Sequence, residues 1–429
     1  MRYVTKAAAA AFITVLAAPV NALEVGLTVF EESEYTNNLT RATSEEISDW
    51  THSPGATVTA NHAGPDLDLE VDYTLVRRIY GKDVYDDSNE AVGTASLVWD
   101  ALPERLTFTA DHHRTQTAVR ADEAVTPDNL VETSDTSLGP TLLFNPRGSD
   151  LILIQHLWGK RTSEESVNDA ETNTSTISYV MPTSPNTTVT LAAINSEVDY
   201  DGSNFADITY ERAQLTWEQL SETTTVSLMG GYNVTDRDQQ SEDADGFIYR
   251  ADVSWQSGAN TSFGLNASRD FLDRSTSLSQ GSFADELDVP TGSDLNEVFI
   301  NERYSAKVTG TLGGATTIDA SITYDSEDYV DIIKDTDRMV YTVDLARQLN
   351  PKIRFSLGFS YIKEDFTEVD EDAETFAGDI QLTYQAGKKL SFDFGGRYYG
   401  REDELLLESR PKINEWSVYA RVAYNILPR

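Results

Sequence analysis

One pattern limits what this chain can fold into more than any other: apolar and polar residues alternate with a period of two, again and again, from end to end. In the last segment Trp416, Val418, Ala420, Val422, Tyr424 and Ile426 fall on one face, and Glu415, Ser417, Arg421 and Asn425 on the other. A β-strand turns successive side chains to opposite sides, so this is a strand with one apolar face. Ile353, Phe355, Leu357, Phe359 and Tyr361 repeat the pattern against Lys352, Arg354, Ser356 and Ser360. So do Leu390, Phe392, Phe394 and Tyr398 against Ser391, Asp393, Arg397 and Arg401, and Leu67, Leu69, Val71, Tyr73 and Leu75 against Asp68, Glu70 and Asp72. Phe247, Tyr249, Ala251, Val253 and Trp255 form a further set. No long stretch has the 3.6-residue period of an amphipathic helix.

The connections between these segments alternate in length. Short ones fall at 63–66 (AGPD), 102–105 (LPER), 145–150 (NPRGSD), 183–186 (TSPN), 257–260 (SGAN), 313–314 (GG), 350–351 (NP) and 387–388 (GK), with a less typical turn at 220–223. Gly, Pro and Asn supply the preset or positive φ angles that tight hairpins need. Longer, mostly acidic connections fall at 34–51, 81–90, 120–132, 162–173, 197–204, 236–245, 275–294, 325–337, 367–374 and 401–412. One opening strand, nine hairpins and one closing strand give about 20 strands, with 18 as the alternative count. The opening strand near 24–32 and the pair around 57–76 carry the weakest patterns.

A single file of one-faced strands leaves two open edges and an apolar face with nothing to cover it. Closing the sheet and turning the apolar face to lipid removes both problems. The expected fold is therefore all-β: a transmembrane up-and-down antiparallel β-barrel with short periplasmic turns and long extracellular loops. A soluble solenoid or propeller does not account for the alternating connection lengths. The mean hydropathy of −0.40 is compatible with a barrel, because alternating strands dilute their own hydropathy.

The N-terminus fits export. Arg2 and Lys6 head an apolar stretch from about residue 7 to 20, and Val20 and Ala22 stand at −3 and −1 of a small-residue cleavage site. Residues 1–22 are expected to be a signal peptide and 23–429 a single barrel domain in the bacterial outer membrane. The chain has no cysteine, which excludes disulfides and thiolate metal sites. A formal charge of −38, from 71 acids and 33 bases, argues against nucleic acid as a partner.

Alternation also proposes which residues line the interior: Asp68, Glu70, Asp72, Asp252, Asp319, Asp344, Lys352, Arg354, Asp379, Asp393, Arg397, Glu415 and Arg421. Acids dominate the early strands and bases gather in the last few, and charge on a pore wall sets ion preference. Trp99, Trp217, Trp255 and Tyr384 lie within a few residues of short turns, where a periplasmic aromatic girdle belongs. Trp158, Phe376 and Trp416 lie nearer the long-loop ends. Signals of an active site are nearly lacking: His112 and His113 are adjacent on a strand and point to opposite faces, and no HExxH spacing occurs. The acidic loops at 83–90 and 368–374 lack EF-hand spacing. No enzyme activity and no cofactor are expected.

The N-terminal part resembles a known family. Tyr35, Asn37 and Asn38, then Pro54 and Gly55, then Leu67, Leu69, Tyr73 and Leu75, then Pro103, Arg105, Leu106 and Phe108 follow its pattern over about the first 120 residues. These stretches are similar to the β-barrel porin family associated with exopolysaccharide and PEP-CTERM gene clusters. One departure is the C-terminus, where Tyr424 is followed by Asn425, Ile426, Leu427, Pro428 and Arg429 instead of a terminal aromatic. The resemblance implies passage or secretion of exopolysaccharide across the outer membrane. Implied partners are outer-membrane lipids, the barrel assembly machinery, periplasmic polysaccharide export components and polysaccharide as cargo. The alternatives are a general or substrate-selective diffusion porin, and a non-transporting outer-membrane scaffold whose loops bind a partner.

Overall fold

The computed structural model describes residues 23–118, 126–163, 169–201, 207–237, 244–273, 298–330, 335–366, 371–404 and 412–427. The expected signal segment at 1–22 and the connection at 275–294 lie outside the described residues. Among the described residues, twenty strands form one sheet. They are β1 Glu24–Thr36, β2 Asp49–Ala63, β3 Leu67–Tyr80, β4 Ser88–Leu102, β5 Leu106–Ala118, β6 Leu130–Phe144, β7 Leu151–Ser163, β8 Ala170–Ser184, β9 Thr187–Tyr200 and β10 Ile208–Leu220. The second half comprises β11 Thr224–Arg237, β12 Ala244–Gln256, β13 Thr261–Asp273, β14 Val298–Leu312, β15 Thr316–Tyr329, β16 Thr336–Asn350, β17 Ile353–Phe366, β18 Glu371–Gln385, β19 Leu390–Glu404 and β20 Lys412–Leu427.

Each strand pairs antiparallel with its chain neighbours, and β1 pairs with both β2 and β20, so the sheet closes. Closure removes the free edges of an open sheet. The count of 20 settles the alternative of 18. Gly313 and Gly314 take φ of 59° and 73° in the β14–β15 turn, the left-handed region that glycine enters without strain.

The strands outrun the sequence expectation at the long-connection end. β1 runs on to Thr36 and β2 starts at Asp49, inside the connection expected at 34–51; β18 starts at Glu371, inside 367–374. Likewise β9 reaches Tyr200, β15 Tyr329 and β19 Glu404. Beyond the bilayer both faces meet water, so the residues there are polar on both sides and the alternation fades, while backbone pairing continues.

Residues paired across a ladder share a face, so the register can be followed from strand to strand round the whole wall. One face carries Val29, Leu75, Ile177, Leu215, Phe247, Leu357, Phe394 and Val422, all exposed. Large aliphatic and aromatic side chains exposed round an entire closed sheet belong in hydrocarbon, not water. The opposite face is predominantly polar.

Two ladders of the described wall stop short at the long-connection end. The β4–β5 register ends at Gly93↔Arg114, although β4 pairs with β3 as far as Arg78↔Ser88 and β5 with β6 as far as Ala118↔Leu130. The β12–β13 register ends at Tyr249↔Arg269, although β12 continues to pair with β11 as far as Thr235↔Ala244 and β13 with β14 as far as Asp273↔Val298. Above that point β13 parts from β12 and carries β14 with it, while β14 stays paired with β15 as far as Phe299↔Tyr329. A buried cluster joins Ala170, Val198, Tyr200, Ile208, Tyr210, Ala244 and Ile248 to Phe271 and Val298. The first seven follow the register of the polar face, and the last two follow that of the apolar face. The ends of β13 and β14 therefore lie across the polar face of β8–β12.

Candidate functional site: the polar face of the wall

The register places the predicted interior residues in rows. Asp319 stands opposite Asp344, Asp344 opposite Gly358, Gly358 opposite Asp379, Asp379 opposite Arg397 and Arg397 opposite Ser417. A second row runs from Arg354 through Thr383, Asp393 and Arg421 to Glu32. Asp68, Glu70 and Asp72 stand opposite Ala63, Asn61 and Thr59; Asp252 faces Ser227 and Asn266, and Glu415 faces Tyr399. Twelve of the thirteen thus share the polar face, whereas Lys352 sits in the β16–β17 turn.

Hydrogen bonds tie many of these charges to the wall. Thr309 donates to Asp319 at 2.6 Å, Thr383 to Asp393 at 2.6 Å and Asn266 to Asp252 at 2.7 Å. Arg397 reaches Glu34 at 2.9 Å and Glu32 at 3.4 Å. A charge-assisted bond fixes the position of its partners.

Near the closure, aromatic rings lie flat on glycines with arginines above them. The Arg421 guanidinium is 3.9 Å from the centroid of Phe30, whose ring occupies the space a side chain at Gly55 would need. Arg397 stands 4.2 Å over Tyr419, which covers Gly395 in the same way. Arg41 stacks at 4.1 Å on Tyr399 and pairs with Glu415 at 2.7 Å. Stacking holds each guanidinium in a fixed plane at the wall. Sequence reading missed Phe30, Glu32, Glu34, Arg41 and Tyr419. The small-residue positions Gly55 and Gly395, directly across from Phe30 and Tyr419, are the signal that could have found two of them.

The expected girdle residues fall on the apolar face beside short turns. Trp99 stacks on Phe108 at 5.7 Å, Trp255 on Phe263 at 5.0 Å and Tyr384 on Phe392 at 6.5 Å, and Trp217 stands opposite Val189 and Leu228. At the far end Tyr35 packs between Trp50 and Trp416, at 5.3 and 5.7 Å. His112 and His113 part to opposite faces, opposite Thr136 and Asp135.

Asn37 and Asn38, two of the residues in the N-terminal pattern, lie at the closure. The Asn37 side-chain carbonyl accepts the main-chain N–H of Trp416 at 2.6 Å, and Asn37 N–H donates to the Trp416 carbonyl at 3.2 Å. Asn38 is fully buried and donates to the carbonyls of Ala42 and Asn414. At Pro54 the β2–β3 register breaks off and resumes at Gly55↔Val76, because proline has no N–H to give.

No family model matches the chain, and no curated protein matches it. Among solved structures it is similar to the FrpB iron transporter of Neisseria meningitidis (F3-3 variant), at 12% identity and a TM-score of 0.49, covering 94% of this chain and 81% of that one. It is also similar to OprD of Pseudomonas aeruginosa, at 13% identity and 0.38, over 96% and 98% of the two chains. OmpT, an outer membrane protein of Vibrio cholerae, gives 12% and 0.38 over 95% and 99%. The architecture itself rests on the closed antiparallel ladder and its apolar belt. The chain is a bacterial outer-membrane β-barrel.

Proposed function

We propose that the polar face lines an aqueous lumen and that the protein is an outer-membrane channel taking part in exopolysaccharide export. The observation that carries the channel is the closed ladder of 20 strands with twelve of the thirteen predicted charged residues on the face opposite the lipid belt. Barrels of 16–18 strands already enclose water-filled lumens, so 20 give ample width. The cargo comes from the resemblance of the N-terminal segment. Periplasmic export components would deliver polysaccharide to the short-turn end, and the barrel assembly machinery would insert the chain.

A second reading is a diffusion porin for small solutes. It is favoured by the inward-lying ends of β13 and β14, which take up space on the polar side of the wall. Single-channel conductance of the refolded barrel, with an anionic polysaccharide added as blocker, separates the two. Reversible block by the polysaccharide supports export, and open conductance indifferent to it supports the porin. A clean gene deletion that leaves surface polysaccharide unchanged counts against export.

A further inference from the structure

Where the β12–β13 ladder stops, side chains take over its bonds. The main-chain N–H of Phe271 donates to the Asp270 carboxylate at 2.8 Å, and its carbonyl accepts from Arg212 Nη2 at 2.6 Å. Arg212 lies on β10, on the polar face, and also donates to Asn233 at 2.8 Å and pairs with Asp270 at 3.0 Å. Two residues further along β13, Asp273 is fully buried and accepts from the hydroxyls of Tyr200 and Tyr210, each at 2.7 Å. Phe271 lies against bare Gly246, where a Cβ would stand 2.9 Å from its ring.

Below the split the apolar side is clasped. The hydroxyls of Tyr249 and Tyr304 meet at 2.7 Å across β13, and Arg269 pairs with Glu302. The ends of β13 and β14 therefore have a fixed lower boundary and an apolar seat above it. The seat is held by buried apolar area and by the side-chain bonds from Arg212, Tyr200 and Tyr210, while β14 stays laddered to β15 as far as Phe299↔Tyr329. Leaving it breaks no bond between β12 and β13, whose ladder has already ended at Tyr249↔Arg269.

We propose that these folded-over ends are the constriction of the channel: they admit compact solutes and must lift before an extended polymer passes. This rests on the reading that the polar face lines an open lumen. The charges around the ends are already paired, Arg212 with Asp270 and Arg303 with Asp325 at 2.7 Å. Sorting at this level is accordingly by size more than by charge.

The chain has no cysteine, so a single engineered thiol reports cleanly. Ile248, 2% exposed beneath the ends, is replaced in Ile248→Cys. Phe271→Asp with Val298→Asp puts two carboxylates into the apolar seat, which they leave for water. Refolded barrels are compared for labelling of the thiol by a hydrophilic maleimide, for single-channel conductance, and for exclusion of polyethylene glycols of graded size. Folding is checked by heat-modifiable gel mobility, and Arg212→Met replaces the double variant if that does not fold.

The expected result is a protected thiol and a small pore in the parent. With the ends displaced, labelling speeds up, conductance rises by about twofold or more, and the polymer cut-off becomes larger. Rapid labelling in the parent overturns the proposal, because the ends would not cover Ile248. Equal conductance and cut-off with the ends displaced also overturn it, while the channel reading stands. A barrel that conducts in neither form, despite a freed thiol, overturns the channel reading itself and the constriction with it.

Discussion

The Arg212 guanidinium on β10 donates to the main-chain carbonyl of Phe271 on β13 at 2.6 Å, across two intervening strands. Residues three strands apart in a flat wall cannot touch, since neighbouring strands lie about 4.8 Å apart. The bond exists because β13 has left the wall and lies over the strands it would otherwise stand beside.

Arg212→Met removes the donor to Phe271, Asn233 and Asp270 together. It leaves the Asp270 carboxylate without its cation and the Phe271 carbonyl without its donor in a mostly buried place, a loss of about 2–4 kcal/mol. Denaturant unfolding of the refolded barrel should show a lower midpoint. Arg212→Lys should recover only part of it, because an ammonium cannot span the same three partners.

The two faces of the wall are separable by one residue. Leu357 is 46% exposed on the apolar face of β17, and Ser356 is its neighbour on the polar face. Leu357→Arg should destabilise the barrel by about 2–4 kcal/mol in bilayers, as charge near the midplane does. Ser356→Arg should fold with nearly unchanged stability. Equal sensitivity at both positions would refute the assignment of faces.

Closure depends on a side chain from a loop. Asn37→Ala deletes the acceptor of the Trp416 N–H and should cost about 1–2 kcal/mol, read as earlier loss of the compact gel band on heating. Asn37→Asp keeps an acceptor and should lose less.

Arg397 is held between Glu34 and Glu32. Arg397→Gln leaves both carboxylates without that partner on the polar face. The reversal potential across a salt gradient should move toward stronger cation preference, and the move should shrink at high ionic strength as screening grows. An unchanged reversal potential would place these charges away from the ion path.

Much of the wall is legible in the sequence. Strand count, turn positions and the common face of Asp319, Asp344, Asp379, Arg397 and Arg421 follow from a period of two, because a pleat leaves a side chain only two directions. Strand ends were less legible, as at Thr36 and Glu371, where water on both sides erases the contrast that alternation depends on. Lys352 read as part of a strand because it continues the polar set of Arg354 and Ser356, yet it lies in a turn.

By itself the sequence determined the class of the fold, since every strand carries its own two-faced pattern and each short turn its own hairpin chemistry. Such information is local and survives in a linear reading. Only the tertiary structure decided that Asn37 and Trp416 close the barrel, that Phe30 lies under Arg421, and that Phe271 and Val298 cross to the polar face. Apolar Ile208, Tyr210 and Ile248 look like lapses in the alternation until that second layer covers them. These contacts join residues far apart in the chain, and no local period records which distant surface will come to rest on a given strand.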